Sequence, residues 1–191
     1  MGRRSSTQVL GLWMNGLYVG RWTINSSGVH SLIYDSNWVA LPQTRPISLS
    51  LPFQPGTPTY SGPIVENYFE NLLPENEAIR KRLAMRFGCQ DTKAFSLLSE
   101  IGRDCVGSLQ ILPAGMEPKD IKTISYKTVS EDQIEKLLIN SSTTHPFQLG
   151  SDEELRISLA GAQEKTALLY HQQNWSIPLG TTPSTHIFKL P

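Results

Sequence analysis

One stretch near the end of the chain limits what the chain can become: Arg156-Ile157-Ser158-Leu159-Ala160-Gly161-Ala162-Gln163-Glu164-Lys165-Thr166. A short apolar run leads into three small residues, two polar residues, a lysine and a threonine. Ala167-Leu168-Leu169-Tyr170 then resumes the apolar run. The pattern predicts strand, tight loop, strand. Small residues at Ala160, Gly161 and Ala162 allow backbone N–H groups to approach an anion closely, and Lys165 adds a point charge. An ordinary turn with solvated polar residues fits the same letters. The Walker A pattern does not, because Glu164 stands where a glycine is required before the lysine.

A second segment changes the balance. Thr185-His186-Ile187-Phe188-Lys189-Leu190 reads as a short strand ending in a lysine. A phosphate loop between two strands, followed by a lysine on a later strand, is the nucleotide-binding layout of a kinase small lobe. Taken alone, Lys189 is an exposed strand-end lysine. Beside the loop it gains a role in holding the α- and β-phosphates of ATP.

The segment from Ile157 to Leu169 resembles the phosphate-loop segment of the HipA family of bacterial toxin kinases. Thr182-Pro183-Ser184-Thr185-His186-Ile187-Phe188-Lys189-Leu190-Pro191 resembles the segment carrying that family's ATP-anchoring lysine. Leu97-Leu98-Ser99-Glu100-Ile101-Gly102-Arg103-Asp104-Cys105-Val106-Gly107 and Ser48-Leu49-Ser50-Leu51-Pro52 are similar to it as well. The likeness runs from about Leu12 to Pro191. It implies that Ala160, Gly161, Ala162, Gln163, Glu164, Lys165 and Lys189 line an ATP site. It also implies that Ser158 is a site of autophosphorylation that inactivates the protein. A phosphate there adds roughly −1.5 to −2 charges at the entry to an anion-binding turn.

The resemblance further implies a serine/threonine-protein kinase using ATP and Mg2+ in the cytoplasm. Family members phosphorylate an aminoacyl-tRNA synthetase, notably glutamyl-tRNA synthetase, which inhibits translation and favours persistence. A HipB-like helix-turn-helix antitoxin, itself bound to operator DNA, is the implied partner. The catalytic and metal-binding carboxylates belong to a C-terminal lobe, and the chain stops two residues after Lys189. The expectation is therefore no catalytic residue, no metal ligand and no efficient turnover in these residues alone. The rival expectation is a non-catalytic module that engages an antitoxin or a separate kinase subunit.

Composition narrows the remaining classes. The 17 Lys+Arg and 17 Asp+Glu cancel to a net charge of zero, so no global basicity points to nucleic acid. No apolar run is long enough to span a bilayer, and the basic N-terminus lacks the apolar core of a signal peptide. Cys89 and Cys105 lack metal-ligand spacing and read as reduced thiols.

Along the chain, residues 1–8 read as a disordered tail. Val9–Met14 and Leu17–Trp22 flank Asn15-Gly16, a two-residue hairpin turn, and residues 29–34 form another strand. Pro46–Pro52 alternates apolar and polar residues and reads as an edge strand, followed by a loop over 53–62. Three helices follow. The first starts at Pro63 and stops at Pro74, the second runs from Asn76 to Phe87 with Gly88 as its stop, and the third runs from an Asp91 cap to Gly102. Arg80, Lys81, Arg82 and Arg86 form a basic, solvated face. Residues 106–112 and 121–126 return to strand character, and Ser130 caps a helix reaching about Leu138. His30 reads as a partly exposed strand residue, and Trp13, Trp22 and Trp38 as core. The expected fold is α+β: an N-terminal hairpin and small sheet with helices over 9–105, then a kinase-like small-lobe antiparallel sheet over 106–191, with the C-terminal lobe absent.

Overall fold

The computed structural model describes residues 7–56, 59–104, 108–119, 121–142 and 165–189. The chain is a mixed α/β fold with two antiparallel sheets and five helices among the described residues. The first sheet has the order β4-β3-β2-β1-β5, from β1 (Gln8–Met14), β2 (Leu17–Ile24), β3 (His30–Tyr34), β4 (Thr59–Ser61) and β5 (Leu109–Pro113). The second has the order β6-β8-β7-β9, from β6 (Tyr126–Thr128), β7 (Lys165–His171), β8 (Asn174–Pro178) and β9 (His186–Lys189).

The β1–β2 hairpin closes through Asn15 and Gly16, both at positive φ, with Met14 opposite Leu17. That is the backbone a two-residue turn needs to match strand twist. Alternate residues Leu10, Leu12 and Met14 enter the core, joined by Val19, Trp22 and Leu32 from the neighbouring strands. Three helices cover that face: α2 (Pro63–Glu70), α3 (Glu77–Phe87) and α4 (Ala94–Ile101). Trp22 stacks on Phe69 of α2 at 3.7 Å between centroids and meets Phe95 of α4 edge-on at 4.7 Å. A short helix, α1 (Ser36–Ala40), follows β3 and is capped by Asp35, whose side chain accepts from Asn37 N–H.

Several expectations are corrected here. Pro46–Pro52 is not a strand; its backbone is held by core hydroxyls instead of a neighbouring ladder. The Tyr34 hydroxyl donates to Leu51 C=O at 2.7 Å and accepts from Ile47 N–H at 3.1 Å. Tyr68 donates to Ile47 C=O at 3.3 Å. Burial pushes the Tyr34 phenol up to about 12, so it stays a donor. The expected loop over 53–62 contains β4, paired to β3. α2 ends at Glu70, well before Pro74, and α4 starts at Ala94 rather than after Asp91. The Asp91 carboxylate accepts from Lys93 N–H instead, at 3.0 Å. The α4 N-terminus is satisfied by Glu70, which accepts from Ala94 N–H at 2.9 Å. α3 matches its expected bounds, with Asn76 as N-cap and Gly88 in the left-handed region as its stop.

The second unit has its own core. α5 (Glu131–Ser142) packs on β7, and Val129, Ile134, Leu168 and Ile177 are buried together with Trp175 and Phe188 against them. Ser130 N–H donates to Gln133 Oε1 and Gln133 N–H donates to Ser130 Oγ, a reciprocal capping pair. The strand expected over 121–126 begins only at Tyr126. Residues 109–113, assigned from sequence to the second unit, hydrogen-bond to β1 and complete the first sheet. The physical reason is the free edge of β1, which β5 covers.

Candidate functional site

The site is built on the central strand of the second sheet. β7 pairs with β9 in the register Lys165↔Lys189, Thr166↔Phe188, Ala167↔Ile187 and Leu168↔His186. Side chains alternate across a strand, so this register sorts them onto two faces. Leu168 and Phe188 belong to the α5 side with Trp175 and Ile177. Lys165, Ala167, Ile187 and Lys189 share the opposite face.

On that face, burial is graded. Ala167 and Leu169 are buried, as is Ser176, which sits opposite Leu169 on β8. Toward the lysines the face opens: Ile187 is 56% exposed, and Lys189 is exposed. Lys165 and Lys189 stand directly opposite one another, a cross-strand position with Cβ atoms roughly 4.5–5.5 Å apart. An anion spanning both ammonium groups would gain two charge-assisted contacts. Ile187 adds an exposed apolar side chain beside the lysines. The described residues of this face thus offer two cations and one exposed apolar side chain.

Of the residues expected at the site, the structure brings Lys165 and Lys189 together. Ser158, Ala160, Gly161, Ala162, Gln163 and Glu164 lie outside the described residues. Among the described residues, no group of three or more His, Cys, Asp or Glu side chains is arranged to hold a metal ion. Sequence reasoning missed Ile187 as a surface residue of this face. The signal was present, since Ile187 lies two residues before Lys189 on a strand and must share its side.

Two other clusters attract attention as sites but act in the scaffold. His30 is buried; its Nδ1 accepts from Trp22 Nε1 at 3.2 Å, and its Nε2 lies 3.8 Å from Glu66 Oε1. The partly exposed position expected for it is thus corrected, because the Trp22 indole and α2 enclose the ring. Arg80, expected on a solvated basic face, is instead fixed. Its guanidinium pairs with the Glu70 carboxylate, and its Nε donates to Pro74 C=O at 2.6 Å. Met85 is exposed at the outer side of α3 beside Lys81.

By architecture, the chain has the fold of the front part of a toxin–antitoxin protein. The solved structure of the Shewanella oneidensis MR-1 toxin–antitoxin system of HipA, HipB and its operator DNA matches with a TM-score of 0.67. The identity is 24%, covering 93% of this chain and 39% of that one. A family model described as HipA N-terminal domain matches residues 10–112. The chain belongs to the HipA family. Protein Y4mE of Sinorhizobium fredii is 32% identical over 189 residues, covering 97% of this chain and 44% of that protein. The serine/threonine-protein kinase toxin HipA of Shewanella oneidensis is 27% identical over 186 residues, covering 97% of this chain and 40% of that protein. The chain spans less than half the length of these relatives.

Proposed function

We propose that this chain is the ATP-binding front portion of a HipA-like serine/threonine-protein kinase toxin. The observation that carries this reading is the side-by-side register of Lys165 and Lys189 on the face away from α5. Lys189 holds the α- and β-phosphates, Lys165 adds charge at the mouth of the preceding loop, and Ala160 to Glu164 supply backbone donors. Bound ATP with Mg2+ supplies the transferable phosphoryl group. The residues of this chain bind and orient it, and carboxylates beyond these residues hold the metal. Phosphorylation of Ser158 puts a competing anion at the loop and switches nucleotide binding off.

For the whole protein, the acceptor is a protein hydroxyl, with an aminoacyl-tRNA synthetase as the proposed substrate and arrest of translation as the outcome. A HipB-like antitoxin is the proposed partner, supported by the solved relative that is a complex of HipA, HipB and operator DNA. The cytoplasm is the compartment where that substrate and operator DNA are met.

Titration of the chain with MgATP tests the reading. Wild type is expected to bind, and Lys189→Met to bind roughly tenfold or more weakly while melting at a similar temperature. Equal affinity in both proteins would remove Lys189 from the site.

A further inference from the structure

β9 is a strand whose own sequence leaves its register open. It is four residues long, His186-Ile187-Phe188-Lys189, with two apolar residues side by side. Phe188 meets Trp175 edge-on at 5.1 Å while Ile187 stands exposed, and a slip of one residue would put the isoleucine on the Trp175 side in place of the phenylalanine. The same slip carries Lys189 to the α5 face, away from Lys165. Either residue is apolar, so hydrophobic pattern specifies the pairing weakly and a polar contact can decide it.

The residue placed to do so is Thr185, immediately before the strand. Its N–H donates to Leu168 C=O at 3.0 Å. Its Oγ1 accepts from Tyr170 N–H at 2.7 Å, taking the place a backbone carbonyl would occupy one rung further on. The same oxygen lies 2.8 Å from His186 Nδ1. The hydroxyl also reaches Leu168 C=O at 3.5 Å, and the direction of its contact with His186 follows the ring tautomer. Thr185 thus grips two groups on the same edge of β7, Leu168 C=O with its backbone and Tyr170 N–H with its hydroxyl, and contacts the first residue of β9. Upstream, the buried Thr182 Oγ1 accepts from Ser125 N–H at 2.8 Å and anchors the connection that delivers Thr185.

We propose that Thr185 is the positioning residue of the nucleotide face: its hydroxyl sets the β9 register that puts Lys189 beside Lys165. This rests on the ATP-binding reading for its functional consequence but not for its structural content. The test uses two variants of the chain. Thr185→Val keeps shape and removes the acceptor; Thr185→Ser keeps the acceptor. Cross-strand NOEs between residues 165 and 189 and between 166 and 188 report register, and MgATP titration reports the site. Wild type and Thr185→Ser are expected to share NOEs and affinity. Thr185→Val is expected to lose those NOEs and to bind MgATP roughly tenfold or more weakly, with the Trp175 core intact by fluorescence. Unchanged NOEs in Thr185→Val overturn the proposal. If Thr185→Val loses the NOEs but wild type shows no Lys189-dependent ATP binding, the register role stands and the nucleotide reading falls.

Discussion

At the scale of single residues, His30 shows how a polar side chain is accommodated at the centre of a core. Its ring accepts from Trp22 and faces Glu66, while its own backbone carbonyl accepts from Gly62 N–H at 2.8 Å. Burial pushes His30 below its ordinary value of 6.5; Glu66 and Glu70 on α2 oppose this, and Lys93 before α4 reinforces it. The folded chain therefore holds fewer protons on this ring than the unfolded chain. The resulting stabilisation is complete above 6.5 and is lost as pH falls below it. Denaturant midpoints are expected to drop between pH 7.5 and 5, and His30→Gln to flatten that profile. Residue chemistry also shows what was legible. Asn15-Gly16 announced its turn. Gln172-Gln173 makes the same two-residue connection between β7 and β8, both residues at positive φ, with nothing in its letters to say so. β8 went unread for that reason. The lysines were legible as charges, but their pairing was not, because register depends on Thr185.

At the scale of elements, the three helices that cover the first sheet, α2, α3 and α4, are joined by one carboxylate. Glu70, at the end of α2, receives the Arg80 guanidinium from α3 and the first N–H of α4. Glu70→Ala leaves a cation and a helix terminus without this partner. It is expected to cost about 2–3 kcal/mol by chemical denaturation, well above the effect of a surface ion pair. Lys81→Ala, on the exposed side of α3, serves as the control and is expected to change little. Some helix bounds were readable, since Pro63 opens α2 and Asn76 and Gly88 bracket α3, but the Pro74 stop was not, because α2 already ends at Glu70. The partner that caps α4 was not, because Glu70 lies a helix away in sequence. The alternation over Pro46–Pro52 misled for a related reason. It was satisfied by Tyr34 and Tyr68 hydroxyls from distant elements rather than by a strand partner.

At the scale of the whole molecule, two sheets carry two separate cores, one around Trp22 and Phe69, the other around Leu168 and Ile177. The hairpin tip touches the connecting segment, where a Cβ on Gly16 would come within 2.2 Å of Ile121 Cδ1. Separate cores predict separable stability. Leu168→Ala is expected to cost about 2–5 kcal/mol within the second unit. Amide hydrogen exchange should then accelerate in β7 and β8 while protection of β1, β2 and β3 stays as in wild type. Uniform acceleration would show that the cores melt as one. The placement of β5 against β1 has a further outcome for how the chain is made. With Met14 opposite Leu109, β1 finds its outer neighbour only after all three covering helices have left the ribosome. The nascent hairpin must wait with one edge open, and closure of that edge marks the moment the N-terminal unit becomes safe from wrong partners.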